Sequence, residues 1–109
     1  MNQWDTNQWV FPHGSHPCVI ISPQARCDNP DMETVNVVGG STQRAARSSK
    51  AHEIILDAAD GMDWETLIRV DVIYLAKKSE LKRHRGSVTA ERRRALGAKI
   101  IRLFGLWLG

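Results

Sequence analysis

The chain has 109 residues and a net charge of +3, with 25% charged and 42% hydrophobic residues. That composition excludes collagen-like, low-complexity and wholly disordered chains, and the length suits one domain, 1–109, with one core. No apolar run approaches the about 20 residues of a membrane span. The start carries no basic-then-apolar signal, and two cysteines make no disulfide framework. A reduced, cytoplasmic protein with no membrane association is expected.

Residues 1–12 have no clear period. Trp4, Trp9, Val10 and Phe11 suit an N-terminal arm or a short edge strand. Pro17 opens and Pro23 closes an apolar run at 18–22 that reads as a buried strand. Residues 24–33 are polar, contain Asn29-Pro30, and read as a loop. A second β-branched run at 34–38 is stopped by Gly39-Gly40. Residues 41–50 hold Arg44, Arg47 and Lys50 without an apolar anchor, which predicts a mobile loop. A third strand covers 52–56, and Asp60-Gly61 marks a turn. Residues 66–76 form the longest predicted strand, apolar on both faces and therefore central.

The tail is the one strong helix signal. Thr89 suits the N-cap, and Glu91 suits the positive end of the helix dipole. Leu96, Ile100, Leu103 and Trp107 recur at helical spacing, widened by Ile101 and Phe104. Gly105 is a natural stop. Strands first and a helix last predict a mostly β, α+β fold. The expected form is a small SH3-like, curved β-barrel over 13–86 with a C-terminal helix over 87–105.

Charge is uneven. Residues 77–102 hold ten Lys and Arg against Glu80 and Glu91, whereas the other residues hold five basic against ten acidic. A basic stretch of this kind suits a polyanion partner, or simply a solvated helix face. His13, His16, Cys18 and Cys27 could supply zinc ligands, but their spacing matches no standard pattern, and no metal site is expected. Gly39-Gly40-Ser41-Thr42 is either a strand-ending turn or a place where phosphate approaches the backbone and two hydroxyls bond its oxygens. Arg69-x-Asp71 places two opposite charges on one face of an apolar strand, about 7 Å apart along it. Such a pair is a structural ion pair or a site for phosphoryl chemistry. RNA brings its own nucleophile, the 2′-hydroxyl, so that chemistry needs neither metal nor cofactor.

Together these pieces resemble one family. His13-Gly14-Ser15-His16-Pro17 and the strand after it resemble its first motif, a glycine turn with Arg-Pro and a hydrophobic strand. Residues 34–42 are similar to its next strand, which ends in hydroxyl residues. Leu67-Ile68-Arg69-Val70-Asp71 resembles the Arg-x-Asp strand of the Kid/PemK branch. Lys78-Ser79-x-Leu81, Arg85-Gly86 and the final helix resemble its C-terminal end. On these motifs the chain, over about residues 13–108, resembles the PemK/MazF toxins of type II toxin–antitoxin systems.

The resemblance implies a homodimer, a cognate antitoxin, and metal-independent cleavage of single-stranded RNA, such as mRNA, to a 2′,3′-cyclic phosphate and a 5′-hydroxyl. Carried over by position, Asp71 is the base, Arg69 the acid, and Ser41 a further catalytic group. His16, Thr42, Arg44 and Arg47 are RNA-binding. His16 stands where many members have arginine, so it must be protonated to hold a phosphate; otherwise it only packs beside Pro17. Two other classes are compatible with the same fold. One is a CcdB-like gyrase poison, acting through the end Leu106-Trp107-Leu108-Gly109. The other is a non-catalytic nucleic-acid-binding member.

Overall fold

The computed structural model describes residues 1–44 and 50–106, with the side chains of 42–44 outside the description. Its strands are β1 (Asp5–Phe11), β2 (Gly14–Ile20), β3 (Thr34–Arg44), β4 (Glu53–Leu56), β5 (Thr66–Lys77) and β6 (Lys82–Ser87). Its helices are α1 (Gln24–Asp28) and α2 (Ala90–Leu103). The strands form one antiparallel sheet in the order β4-β5-β3-β2-β1-β6, curled into a half-barrel with α2 at the C-terminal end. The expected curved β architecture with a terminal helix is therefore present.

Several local expectations change. Residues 5–11 are neither an arm nor an edge, because β1 is paired to β2 on one side and β6 on the other. Its alternation is real but disguised. Asn7, Trp9 and Phe11 are all buried, yet polar Asp5, Thr6 and Asn7 occupy buried positions as well. The predicted loop at 24–33 begins with α1, whose only buried side chain is Cys27. Five residues with one apolar contact leave no helical period to read. β6 was hidden in the same way, since Lys82-Arg83-His84-Arg85 has no apolar face.

Gly39 and Gly40 do not stop a strand. They lie inside β3, which runs on to Arg44, so the first four residues of the expected loop at 41–50 are strand, and residues 45–49 of it lie outside the described residues. A Cβ on Gly39 would sit 2.6 Å from the Phe11 ring, and one on Gly40 would sit 2.7 Å from Ile68 Cδ1. These glycines admit close packing within the sheet.

The sheet buries apolar side chains on both faces, so the core is two clusters where one was expected. Val19, Val38, Ile68, Val70 and Leu56 pack with Leu96 of α2. Trp9, Phe11, Cys18, Ile20, Val35 and Val37 pack with Cys27 of α1 on the other face. β5 serves both clusters because its pairing with β3 shifts midway. Val37 faces Tyr74 and Gly39 faces Arg69, so Val70, Asp71, Val72 and Ile73 oppose the single residue Val38. This bulge turns Tyr74 and Ala76 toward the aromatic cluster while Ile68 and Val70 face α2.

Thr89 caps α2 by accepting from Arg92 N, and Gly105 follows the helix at φ +63°. Of the predicted apolar stripe, Leu96 is buried and Ile100 packs on the core. Ile101, Leu103 and Phe104 are exposed, and Trp107 lies outside the described residues. What anchors the helix is polar. Arg92 Nη1 donates to Asp60 Oδ2 and to Asp57 Oδ1, both at 2.6 Å, and Nη2 donates to Asp57 Oδ2 at 3.0 Å. Asp60 is fully buried.

Arg92→Ala leaves that carboxylate without its cation and should cost about 3 kcal/mol in urea unfolding. The Arg92 hydrogen bond also holds the Asp57 carboxyl below its ordinary value. That contribution is full above the ordinary carboxylate range and is lost as pH falls through the lowered value. Arg92→Ala should therefore also flatten the acid limb of the stability curve.

Candidate active site

A cleft of about 180 Å³ opens on the aromatic face of the sheet. Phe11 of β1, His13 of the β1–β2 turn, His16 of β2, Ser41 of β3, and Arg69 and Tyr74 of β5 line it. Two features of the fold make the space. Gly39 and Gly40 contribute backbone only, and the β5 bulge pulls Tyr74 around to the same wall as Arg69. The fold therefore brings His16, Ser41 and Arg69 together from three strands.

Arg69 and Asp71 form a bidentate pair. Arg69 Nε donates to Asp71 Oδ1 at 3.1 Å and Nη2 to Oδ2 at 2.7 Å. The side chains are 57% and 32% exposed, so the pair is not a core element. Asp71 reaches the cleft only through Arg69. The shared hydrogen bonds hold the Asp71 carboxyl below the ordinary carboxylate value and raise the Arg69 guanidinium above its own. Both shifts favour the charged forms. The pair is thus suited to presenting a fixed positive fork, and each member is a reluctant proton donor or acceptor near neutrality.

His16 is half-buried, with its ring 4.8 Å from that of His13 and 6.2 Å from that of Phe11. Nδ1 is buried and has no hydrogen-bond partner. Burial first, and then the neighbouring His13, push its pKa below the ordinary imidazole value. Both effects favour the neutral ring over the charged form that holding a phosphate would need. Thr42 and Arg44 lie on β3, but their side chains are outside the description, and Arg47 is among the undescribed residues.

The site also contains groups the sequence did not single out. His13 entered as a zinc candidate and as the first residue of the His13-Gly14-Ser15-His16-Pro17 motif, without a role of its own in the cleft. Tyr74 reaches the cleft only because of the bulge, which no local pattern announces. Among the described residues, no three His, Cys, Asp or Glu side chains converge in a metal-holding group. Burial pushes the Cys18 thiol up to about 12, so it stays protonated. Arg85 of the Arg85-Gly86 motif is spent elsewhere, donating to Gln8 Oε1 and Asp63 Oδ2.

Among solved structures, the chain resembles an endoribonuclease in complex with its cognate antitoxin from a Mycobacterial species. The TM-score is 0.83 at 19% identity, covering 100% of this chain and 99% of that one. It also resembles the Mycobacterium tuberculosis toxin MazF-mt6, with a TM-score of 0.79 at 20% identity over 95% and 99% of the two chains. MazE-MazF from Deinococcus radiodurans matches with a TM-score of 0.76 at 15% identity over 98% and 97%. At such identities these likenesses establish the fold. No curated protein sequence is significantly similar to the chain. The family model of PemK-like, MazF-like toxins matches residues 9–104, which is most of the chain. The chain belongs to the PemK-like, MazF-like toxins of type II toxin–antitoxin systems.

Proposed function

We propose that this toxin is an endoribonuclease that cleaves single-stranded RNA by internal transesterification. The 2′-hydroxyl attacks the adjacent phosphorus, the bond to the 5′-oxygen breaks, and a 2′,3′-cyclic phosphate and a 5′-hydroxyl remain. The observation that carries this reading is the convergence of Arg69, Ser41 and His16 on one small cleft. Family membership supports it, as does the endoribonuclease activity ascribed to two of its structural relatives.

Within this reading Arg69 neutralises the charge that builds on phosphorus, and Asp71 keeps the guanidinium fork in orientation. The Ser41 hydroxyl donates to a non-bridging phosphate oxygen. Thr42, Arg44 and Arg47 follow Ser41 in the chain and hold neighbouring phosphates. His16 contacts the RNA from the facing strand. A cognate antitoxin restrains the toxin, in keeping with the complexes formed by two of its relatives. The working form is a homodimer in the cytoplasm. Ile101, Leu103, Phe104 and Leu106 are all exposed on α2 and just beyond it, which is more apolar surface than one helix end usually leaves in water.

Cleavage of a single-stranded RNA should proceed in EDTA, because the nucleophile belongs to the substrate. Gel analysis should show cyclic-phosphate ends, and breakage of DNA with intact RNA would instead support a gyrase poison. Arg69→Ala should lower kcat by about 100- to 1,000-fold. Because the Arg69–Asp71 pair is exposed, it should cost only about 0–1 kcal/mol of stability. A variant that loses its thermal transition together with its activity would make the pair structural. Sedimentation at micromolar concentration should give twice 12.3 kDa; a clean monomer would exclude the dimer.

A further inference from the structure

Transesterification needs a group to take the proton from the 2′-hydroxyl. Asp71 is poorly placed for this. Both of its oxygens accept from Arg69, and it does not form the wall of the cleft. Freeing one oxygen would break the bidentate fork that orients the guanidinium.

His16 has the opposite properties. It lines the same cleft as Arg69 and Ser41. Its Nδ1 is buried and has no hydrogen-bond partner, and the rings of Phe11 and His13 pack against it. A histidine kept only for packing would normally give its ring nitrogens to a backbone or side-chain partner, and an unsatisfied buried nitrogen calls for an explanation. The buried Nδ1 is out of a substrate's reach, so Nε2 is the nitrogen left to accept a proton from a group bound in the cleft.

The surroundings favour the neutral, accepting form. His13 stacks from the β1–β2 turn, Phe11 packs from β1, and Gly39, Gly40 and Ser41 approach from β3. From β5 come Arg69, already neutralised by Asp71, and Tyr74. Of the acidic side chains, Asp71 is committed to Arg69, and Glu53 of β4, the register partner of Arg69, acts on the same guanidinium. Burial first, and then the neighbouring imidazole, push the His16 pKa down and favour the neutral ring.

We infer that His16 is the general base of the reaction, taking the 2′-hydroxyl proton on Nε2 while Arg69 and Ser41 stabilise the phosphorane. The inference rests on the ribonuclease reading above. The O–H electron pair stays on the 2′-oxygen and forms the new bond to phosphorus. The pair of the breaking bond leaves on the 5′-oxygen, which takes a proton from water, and the imidazolium returns its proton to the hydroxide so formed. Nothing is oxidised or reduced. Asp71 then acts through Arg69 as a positioning residue.

This role and that of a phosphate-holding cation predict opposite signs. A base must be neutral, so kcat should rise with pH through the acid range and level off near neutrality. A charged phosphate ligand would instead lose activity over the same span. The test is the pH profile of kcat on single-stranded RNA for four proteins: wild type, His16→Ala, His16→Arg and Asp71→Asn.

His16→Ala should lose about 100- to 10,000-fold in kcat and lose the acid limb, with a thermal transition like that of wild type. Added imidazole should restore part of the rate, and more basic imidazoles should restore more, which a packing role would not produce. His16→Arg should stay slow, and Asp71→Asn should keep the acid limb at reduced height. The inference is overturned if His16→Ala keeps the limb, if imidazoles restore nothing, if His16→Arg is as fast as wild type, or if Asp71→Asn alone abolishes the limb. Wild-type protein that cleaves no RNA would instead remove the ribonuclease reading itself, and the inference with it.

Discussion

The Asp60 carboxylate is the point on which the assembly turns. It is fully buried and accepts from Asp57 N, Thr89 N and Arg92 Nη1, while its backbone carbonyl accepts from Thr6 Oγ1. Four parts of the chain thereby meet at one residue: the turn before β5, strand β1, the cap of α2 and the first turn of α2. A buried carboxylate is tolerated only when it is this fully satisfied. The adjoining turn is equally constrained. Gly61 lies at φ +89°, and a Cβ there would sit 2.6 Å from the Arg85 carbonyl oxygen. Since Leu96 is the only fully buried side chain of α2, this polar junction, more than the apolar stripe, sets where the helix lies.

From that junction the sheet is held in the curl that creates the cleft. β1 is pinned at Thr6 and carries Trp9 and Phe11 forward under β3, where only a glycine at 39 leaves room for the Phe11 ring. The same ring then packs against His16 and Tyr74. The cleft floor and the stacking surface for the candidate base are thus consequences of one aromatic side chain and one missing Cβ. The bulge of β5 supplies the other wall. A straight β5 would send Tyr74 to the α2 face and leave Arg69 without its neighbours.

The legible parts of the fold are those with strong local chemistry. The α2 cap at Thr89, the strand near 18–22 and the long central strand with Arg69 and Asp71 all follow from patterns of a few residues. β1, α1 and β6 were not legible. Their buried positions are filled by polar groups whose partners lie far along the chain, such as Thr6 with Asp60 and Asn7 with Lys82. Gly39 and Gly40 misled for a related reason, because a glycine in a strand reads as an ending unless the ring that needs the space is known. Of the site, Arg69, Ser41 and His16 were found through motif order, whereas Tyr74 depended on a register shift with no sequence signature. That Arg69 and Asp71 pair was one of the two readings the sequence offered, and the bidentate geometry that occupies both oxygens of Asp71 came only with the structure.

The uneven charge takes on a different meaning in three dimensions. Ten basic residues in 77–102 suggested a surface for a polyanion. Many of them are spent within the fold. Arg92 neutralises Asp57 and Asp60. Arg85 is nearly buried against Gln8 and Asp63. Arg93 donates to Val88 O and Ser87 Oγ, and Lys78 donates to the carbonyls of Arg26 and Asn29 at the end of α1. A cation whose donors are already committed in this way adds to the long-range field but has few hydrogen bonds left for a phosphate. The guanidinium of Arg69, by contrast, remains more than half exposed despite its pairing with Asp71. The basic quarter of the chain thus does much to hold the fold, and the exposed cation of the cleft comes from the more acidic remainder.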